Sequence, residues 1–228
     1  KDLLKKNPSD AVDTPQVESK QLDMWELTTI HDFLELCDES QWGDLWKLAI
    51  YTRLRRSELA GLTWENVDLS EGTLRVVQTL EYINGYGLVI STPKTERSRR
   101  PVVLAGDVVE LLHNIRGRQI AERMEYGDVW EDTGYVFTRR GGLPILPGEV
   151  SVAFAQFVKK HKLPKLTLHG LRHAYATLGL IAGISPKIVS EALGHSTVAI
   201  TFDLYSHILP SMKEEHGNQI ANLLRRPA

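Results

Sequence analysis

The C-terminal part of the chain concentrates side chains that together could bind and attack a phosphate. It contains L-H-G-L-R-H, then L-G-H-S, then T-F-D-L-Y-S-H. His169, Arg172 and His173 are spaced i, i+3 and i+4, so on a helix they share one face. His195 and Tyr205 follow in the next two motifs. Arginine offers a rigid fork of donors, histidine exchanges a proton near neutral pH, and tyrosine can act as a nucleophile.

Each of these residues, taken singly, is more often structural than catalytic. A His-x-x-Arg pair commonly serves helix packing, and a lone tyrosine usually belongs to a core or an interface. A zinc site is a second alternative, because His169 and His173 have the spacing of helical ligands. It is disfavoured, since no Glu follows His169 and no third ligand is evident. The functional argument therefore depends on the ordered set of motifs.

That ordered set resembles the C-terminal signature of the tyrosine recombinases, the phage-integrase class. Upstream, T-R-L-R-R-S-E-L-A-G-L-T-W-E-N-V-D-L at residues 52–69 resembles the first-arginine motif of that family, with Arg55 as its arginine. Lys94, in T-P-K-T-E-R-S-R-R-P-V-V-L, resembles the hairpin lysine of the family. The motifs span residues 52–207, which is most of the chain.

One position departs from the pattern of the family. Members usually have glycine two residues before the first arginine, where this chain has Arg53. If the backbone there has a positive φ, a side chain costs on the order of 1 kcal/mol. Arg53 is then either a tolerated variant or an additional phosphate contact.

The resemblance implies a mostly α fold with a small antiparallel β-sheet (α+β) and the cleavage and rejoining of DNA strands. In this scheme Tyr205 attacks the scissile phosphate, leaving a 3′-phosphotyrosyl bond and a free 5′-hydroxyl. It implies no cofactor and no metal, because the phosphotyrosyl bond stores the energy of the broken phosphodiester. The implied catalytic residues are Arg55, Lys94, His169, Arg172, His195 and Tyr205, supported by Glu58 and His173.

The implied partner is a double-stranded DNA attachment site, bound by a homotetramer whose isolated subunit is monomeric. Accessory DNA-bending or directionality proteins are further expected partners. The candidate DNA-binding residues are Arg97, Arg99, Arg100, Arg139, Arg140, Lys159 and Lys160. A mobile-element integrase is preferred; the alternatives are a chromosome-dimer-resolving recombinase, a type IB topoisomerase-like enzyme and a non-cleaving DNA-binding protein of the same fold.

The charge distribution agrees with a polyanionic ligand near the motifs, although the net charge is only −2. Residues 18–44 hold eight acidic residues against one lysine, whereas residues 159–172 hold five basic residues and no acidic one. A positive side around the motifs would suit DNA there. The 228 residues contain one cysteine and no apolar run long enough for a bilayer. We therefore expect a cytoplasmic protein that is associated with the nucleoid when it acts, without membrane partners.

The elements that must position the motifs follow from apolar periodicity and turn residues. We expect residues 1–20 to be a linker from a missing N-terminal core-binding domain, residues 21–209 the catalytic domain, and residues 210–228 a tail helix on a neighbouring protomer. Helices are predicted at 28–37, 42–51, 57–62, 106–124, 147–161, 167–183 and 185–194. Thr28 or Thr29 is expected to cap the first of these helices, and Thr167 the one that carries His169 and Arg172. Strands are predicted at 72–81, 88–91, 100–104 and 135–137, the first three in one sheet.

Overall fold

The structure, a computed structural model, describes residues 25–92, 101–193, 197, 198 and 201. Within these residues the chain forms seven α-helices: α1 (Leu27–Leu36), α2 (Gly43–Thr52), α3 (Arg56–Ala60), α4 (Gly106–Tyr126), α5 (Pro147–Lys160), α6 (Leu168–Ile181) and α7 (Pro186–Leu193). The strands are β1 (Val67–Asp68), β2 (Thr73–Arg75), β3 (Thr79–Ile83), β4 (Gly87–Ser91) and β5 (Pro101–Val103). The mostly helical fold with small antiparallel sheets is confirmed.

The helices form where the apolar periodicity predicted them. The residues at their ends show which of the predicted helix caps are present. Thr167 caps α6, as predicted, by accepting a hydrogen bond from Gly170 N at 3.2 Å. The capping prediction for α1 is wrong. Glu26, in an extended conformation, precedes the first turn, so Thr28 lies inside the helix and cannot accept from a free N–H at its start.

The described strands fall into two sheets, so the predicted single sheet is wrong. Strand β2 pairs with β1 and β5, whereas the partner of β3 among the described strands is β4. The predicted strand at 72–81 is interrupted between these sheets, and Gln78 donates a hydrogen bond from Nε2 to Gly61 O at 3.0 Å. A Cβ at Gly61 would lie 2.9 Å from Leu80 N, so glycine allows β3 to approach the end of α3 closely. The first-arginine motif is thereby fixed to the β3–β4 hairpin.

The predicted strand at 135–137 is reduced to a single bridge between Tyr135 and Thr63. Val136 N donates to Leu62 O at 2.9 Å, and Trp64 N donates to Gly134 O at 2.9 Å. Because the chain turns into a 3-10 helix at Trp64–Asn66, the pairing cannot extend into a ladder.

An aromatic cluster joins α1, α2 and α5 beneath the site. Phe33, Trp46, Phe154 and Phe157 are buried, and Trp25 packs against Phe33 with ring centroids 5.0 Å apart. Trp46 and Phe154 meet edge to face at 5.5 Å, one of the arrangements that aromatic quadrupoles favour. Helix α2 leads from this cluster directly to the first-arginine motif.

The cluster should dominate the stability of the domain. Phe154 is 0% exposed, so Phe154→Ala leaves a cavity and should lower the free energy of unfolding by about 3–5 kcal/mol. Val152, on the same helix but 58% exposed, is the matched control. Val152→Ala should change the free energy of unfolding by no more than about 0.5 kcal/mol. Denaturant unfolding monitored by circular dichroism measures both values. Equal losses for the two variants would contradict this assignment of the core.

Candidate active site

The first-arginine motif forms a rigid corner at the start of α3. Arg55 occupies the N-cap position, and its backbone N donates to Glu58 Oε2 at 2.8 Å. Its Nη1 donates to the other carboxylate oxygen, Oε1, at 2.9 Å. Glu58 is only 2% exposed, so this ion pair differs from a surface helix pair worth a few tenths of a kcal/mol. One carboxylate thus fixes both the backbone and the guanidinium of Arg55.

The second arginine reaches the same corner from α6. Arg172 is 4% exposed, and its Nη1 donates a 2.6 Å hydrogen bond to Arg53 O in the loop between α2 and α3. A guanidinium never deprotonates in proteins, so burial keeps a permanent positive charge in a place of low dielectric constant. Two arginines that are far apart in sequence are therefore joined through one loop.

His169 lies on the exposed side of α6, one turn before Arg172. Its ring stands edge-on to that of His173, with centroids 5.1 Å apart. Partial burial lowers the pKa of His169, and the positive charges of Arg172 and Arg55 lower it further. The imidazole is therefore neutral at neutral pH, which leaves a ring nitrogen able to accept a proton.

A groove of about 270 Å³ lies beside these residues, lined by Arg55, Arg56, Ser57, Ser151 and His169 among others. A larger cavity, about 660 Å³ and bordered by Asp68, Thr73, His113 and Arg116, contains none of the predicted site residues. The predicted site residues therefore lie at the smaller groove, beside the charge of Arg55, and not at the larger cavity.

The influence of the arginines on His169 can be measured directly. Arg55→Gln removes a nearby positive charge and leaves the Glu58 carboxylate without its guanidinium partner, so the pKa of His169 should rise. Arg123→Gln, which breaks an exposed ion pair with Asp132, should leave it unchanged. An NMR titration of the histidine Cε1–H signals, assigned with His169→Gln, tests both. A fall or no change in the pKa with Arg55→Gln would contradict the site geometry.

Not all of the predicted site residues lie in the part of the chain that the structure describes. Outside it are the tail at 210–228 and the residues Lys94, Arg97, Arg99, Arg100, His195 and Tyr205. Arg139 donates from Nε to Pro144 O at 2.9 Å within its own loop, and Lys160 pairs with Glu39 on the surface at 3.3 Å. Arg140 and Lys159 are exposed. Their roles in DNA binding remain predictions.

Two further residues lie near the site: Arg53, predicted to be either a tolerated variant or an additional phosphate contact, and Arg56, which was not predicted. Arg53 has φ 56° and ψ 20°, so the position does have the positive φ that its place before Arg55 suggested. Arg56 lines the groove and donates from Nη1 to Ser151 Oγ at 3.0 Å. In the sequence, the replacement of the usual glycine was a signal that Arg53 belongs near the site. The Arg55–Arg56 doublet was a weaker signal for Arg56.

Other chemistries find less support in the described ranges. Burial raises the pKa of Cys37 to about 12, so its thiol is a poor nucleophile. Outside the undescribed segments, no group of three or more His, Cys, Asp or Glu could hold a metal ion, so His169 and His173 have no third ligand there. In the same part of the chain, no helix is long and apolar enough to cross a bilayer.

Comparison with known proteins identifies the family. The model of the phage integrase family matches residues 20–212. The chain belongs to the phage integrase family. It is 32% identical over 180 residues to a tyrosine recombinase XerC-like protein of Caldanaerobacter subterraneus subsp. tengcongensis, and 27% identical over 225 residues to the ICEBs1 integrase of Bacillus subtilis. These alignments cover 74% and 98% of this chain but 46% and 61% of the relatives, so it spans about half the length of the curated relatives it matches.

Solved structures share the fold of this integrase-family chain. The Tn1549 transposon integrase in complex with transposon right end DNA matches with a TM-score of 0.74 at 24% identity, over 96% of this chain and 73% of that chain. The XerA recombinase matches with a TM-score of 0.68 at 22% identity, over 89% of this chain and 66% of that chain. The sequence resemblance and the fold that it implied are confirmed.

Proposed function

We propose that this chain carries the catalytic centre of a site-specific DNA recombinase, the integrase of a mobile element. It would cleave and rejoin DNA strands through a 3′-phosphotyrosyl intermediate. The observation that carries the proposal is that Arg55 and His169 line one groove, while Arg172 is hydrogen-bonded to the loop that presents Arg55. The names of several relatives, among them the ICEBs1 integrase and the transposase from transposon Tn916, favour a mobile element over the alternative roles.

The two arginines would act on the charge that develops during cleavage. Attack on a phosphodiester concentrates negative charge on the non-bridging oxygens, and a guanidinium can bind two of these oxygens in parallel. Glu58 and Arg53 O each engage one guanidinium nitrogen, of Arg55 and Arg172 respectively. The orientation of both forks is therefore set before DNA binds, which reduces the cost of reorganisation in the transition state.

Proton transfer would complete the reaction. Tyrosine is protonated at neutral pH, so Tyr205 needs a base, and His169 has the lowered pKa that suits this role. Lys94 would protonate the leaving 5′-oxygen, and His195 would donate a hydrogen bond to the phosphate. The 5′-hydroxyl of the partner strand would then attack the phosphotyrosyl bond, which conserves its energy and needs neither ATP nor a metal.

The wider setting belongs to the same proposal. The partner would be a double-stranded attachment site, bound in the cytoplasm by four protomers, with accessory DNA-bending or directionality proteins. The tail at 210–228 would dock on a neighbouring protomer, and the exposed Arg140 and Lys159 would contact the DNA backbone.

Substitution of the proposed nucleophile tests the reaction type. The full-length protein is incubated with sheared DNA of its source organism, denatured, and separated from unlinked DNA. The wild type should retain fragments that end at one recurrent sequence, and Tyr205→Phe should lose them while its non-covalent binding to that sequence is retained. Chelation of divalent metals should change neither result. An adduct that survives Tyr205→Phe, or that disappears with the chelator, would contradict the proposal.

Replacement of an arginine by lysine tests the role of the fork. Arg172→Lys keeps the positive charge but loses the paired donors, so the single-turnover cleavage rate should fall by roughly 100-fold or more, whereas the Kd for DNA should change only slightly. Arg123→Lys, on the exposed face of α4, is the matched control and should retain the full rate. An equal loss of rate and affinity in Arg172→Lys would indicate ground-state binding instead.

A further inference from the structure

Arg53 ends α2 in a backbone conformation that normally belongs to glycine. Its φ is 56° and its ψ 20°, and its N–H donates to Ala49 O at 2.9 Å, which closes the last turn of the helix. For a residue with a Cβ, this left-handed conformation costs roughly 1–2 kcal/mol. Contacts elsewhere must therefore offset a cost that glycine would avoid.

The first of these contacts uses the backbone of Arg53. The left-handed turn presents Arg53 O to the Arg172 guanidinium, whose Nη1 donates to it at 2.6 Å. A buried guanidinium needs acceptors for its donors, and this carbonyl is one of them. The conformation of Arg53 thus helps to set the direction of the Arg172 fork.

The second set of contacts uses the side chain, which glycine lacks. Arg53 Nε donates to Ala192 O in the last turn of α7, and its Cζ lies 5.3 Å from the centre of the Tyr175 ring on α6. Carbonyls in a last helical turn lack partners within the helix, and a cation there complements the helix dipole. The guanidinium also gains a cation–π contact with the tyrosine. The side chain therefore crosses from the end of α2 to both α6 and α7.

We propose that Arg53 is a positioning residue of the active site, acting as a clasp between the first-arginine motif, α6 and the end of α7. This rests on the proposed function. Its carbonyl orients Arg172, and its side chain holds the last turn of α7, three residues before His195 in the sequence. Arg53 does not line the groove, and its Nε faces Ala192 O, so the clasp explains it better than a phosphate contact does.

The clasp itself can be tested without DNA, by hydrogen exchange of the backbone amides. Arg53→Gly keeps the left-handed backbone but removes the side chain, so the α7 amides should exchange roughly tenfold faster, the factor that corresponds to one hydrogen bond of a charged donor. Amides in the middle of α4 should keep their rates. Tyr175→Leu should accelerate exchange in α7 by a smaller factor, and Tyr175→Phe, which keeps the ring face, should not.

The role in catalysis is tested by single-turnover cleavage of the attachment duplex by the full-length protein. Arg53→Gly should reduce the rate roughly tenfold while the Kd for the duplex stays within about twofold. The carbonyl that orients Arg172 is kept in this variant, but the last turn of α7, which precedes His195 in the sequence, loses the support of the side chain. Arg53→Lys keeps a cation and a donor near Ala192 O and should recover part of the rate. A purely structural role would not separate rate from affinity in this way.

Each alternative outcome has a definite meaning. Unchanged exchange in α7 for Arg53→Gly would disprove the clasp. Faster exchange with an unchanged cleavage rate would disprove the positioning role. A loss of affinity with the rate preserved would make Arg53 a phosphate ligand instead. If the wild type formed no covalent adduct, the proposed function and the positioning role would fail together, while exchange would still decide whether the clasp exists.

Discussion

The hydrogen bond from Arg172 Nη1 to Arg53 O is the interaction on which the candidate site depends. It joins the helix that carries His169 to the loop that presents Arg55, and it occurs where Arg172 is almost fully buried. A buried cation is costly unless its donors are satisfied, so the loop and the helix constrain one another. Two further contacts hold the first-arginine motif in place. The aromatic cluster anchors α2, which precedes the motif, and Gln78 donates a hydrogen bond to Gly61 O at the end of α3.

The local features of the fold were predictable because they depend on neighbours in sequence. The stripe of Val150, Phe154, Phe157 and Val158 on α5 follows helical periodicity, and all four residues are buried. The Thr167 cap follows from a short-range hydrogen bond. The division of residues 72–81 between two sheets was not predictable, because strand propensity at each residue does not specify which distant strand will be its partner.

The candidate site also combines features that depend on sequence neighbours with contacts between distant segments. The motifs identified Arg55, His169 and Arg172, and the replaced glycine indicated the positive φ at Arg53. What Arg53 contacts could not be inferred, because Ala192 and Tyr175 are more than 100 residues away along the chain. Glu58 supports Arg55 rigidly because its carboxylate is buried, unlike the carboxylate of an ordinary surface ion pair. This burial is likewise a property of the folded core.

The chemical identity of the covalent link between protein and DNA tests the central claim most directly. The adduct formed on attachment DNA is digested with protease and nuclease, and the modified peptide is sequenced by mass spectrometry. Our account predicts a nucleotide joined through its 3′-phosphate to the phenolic oxygen of Tyr205. A link to another side chain, a 5′-phosphate link, or strand cleavage with no covalent link would contradict it.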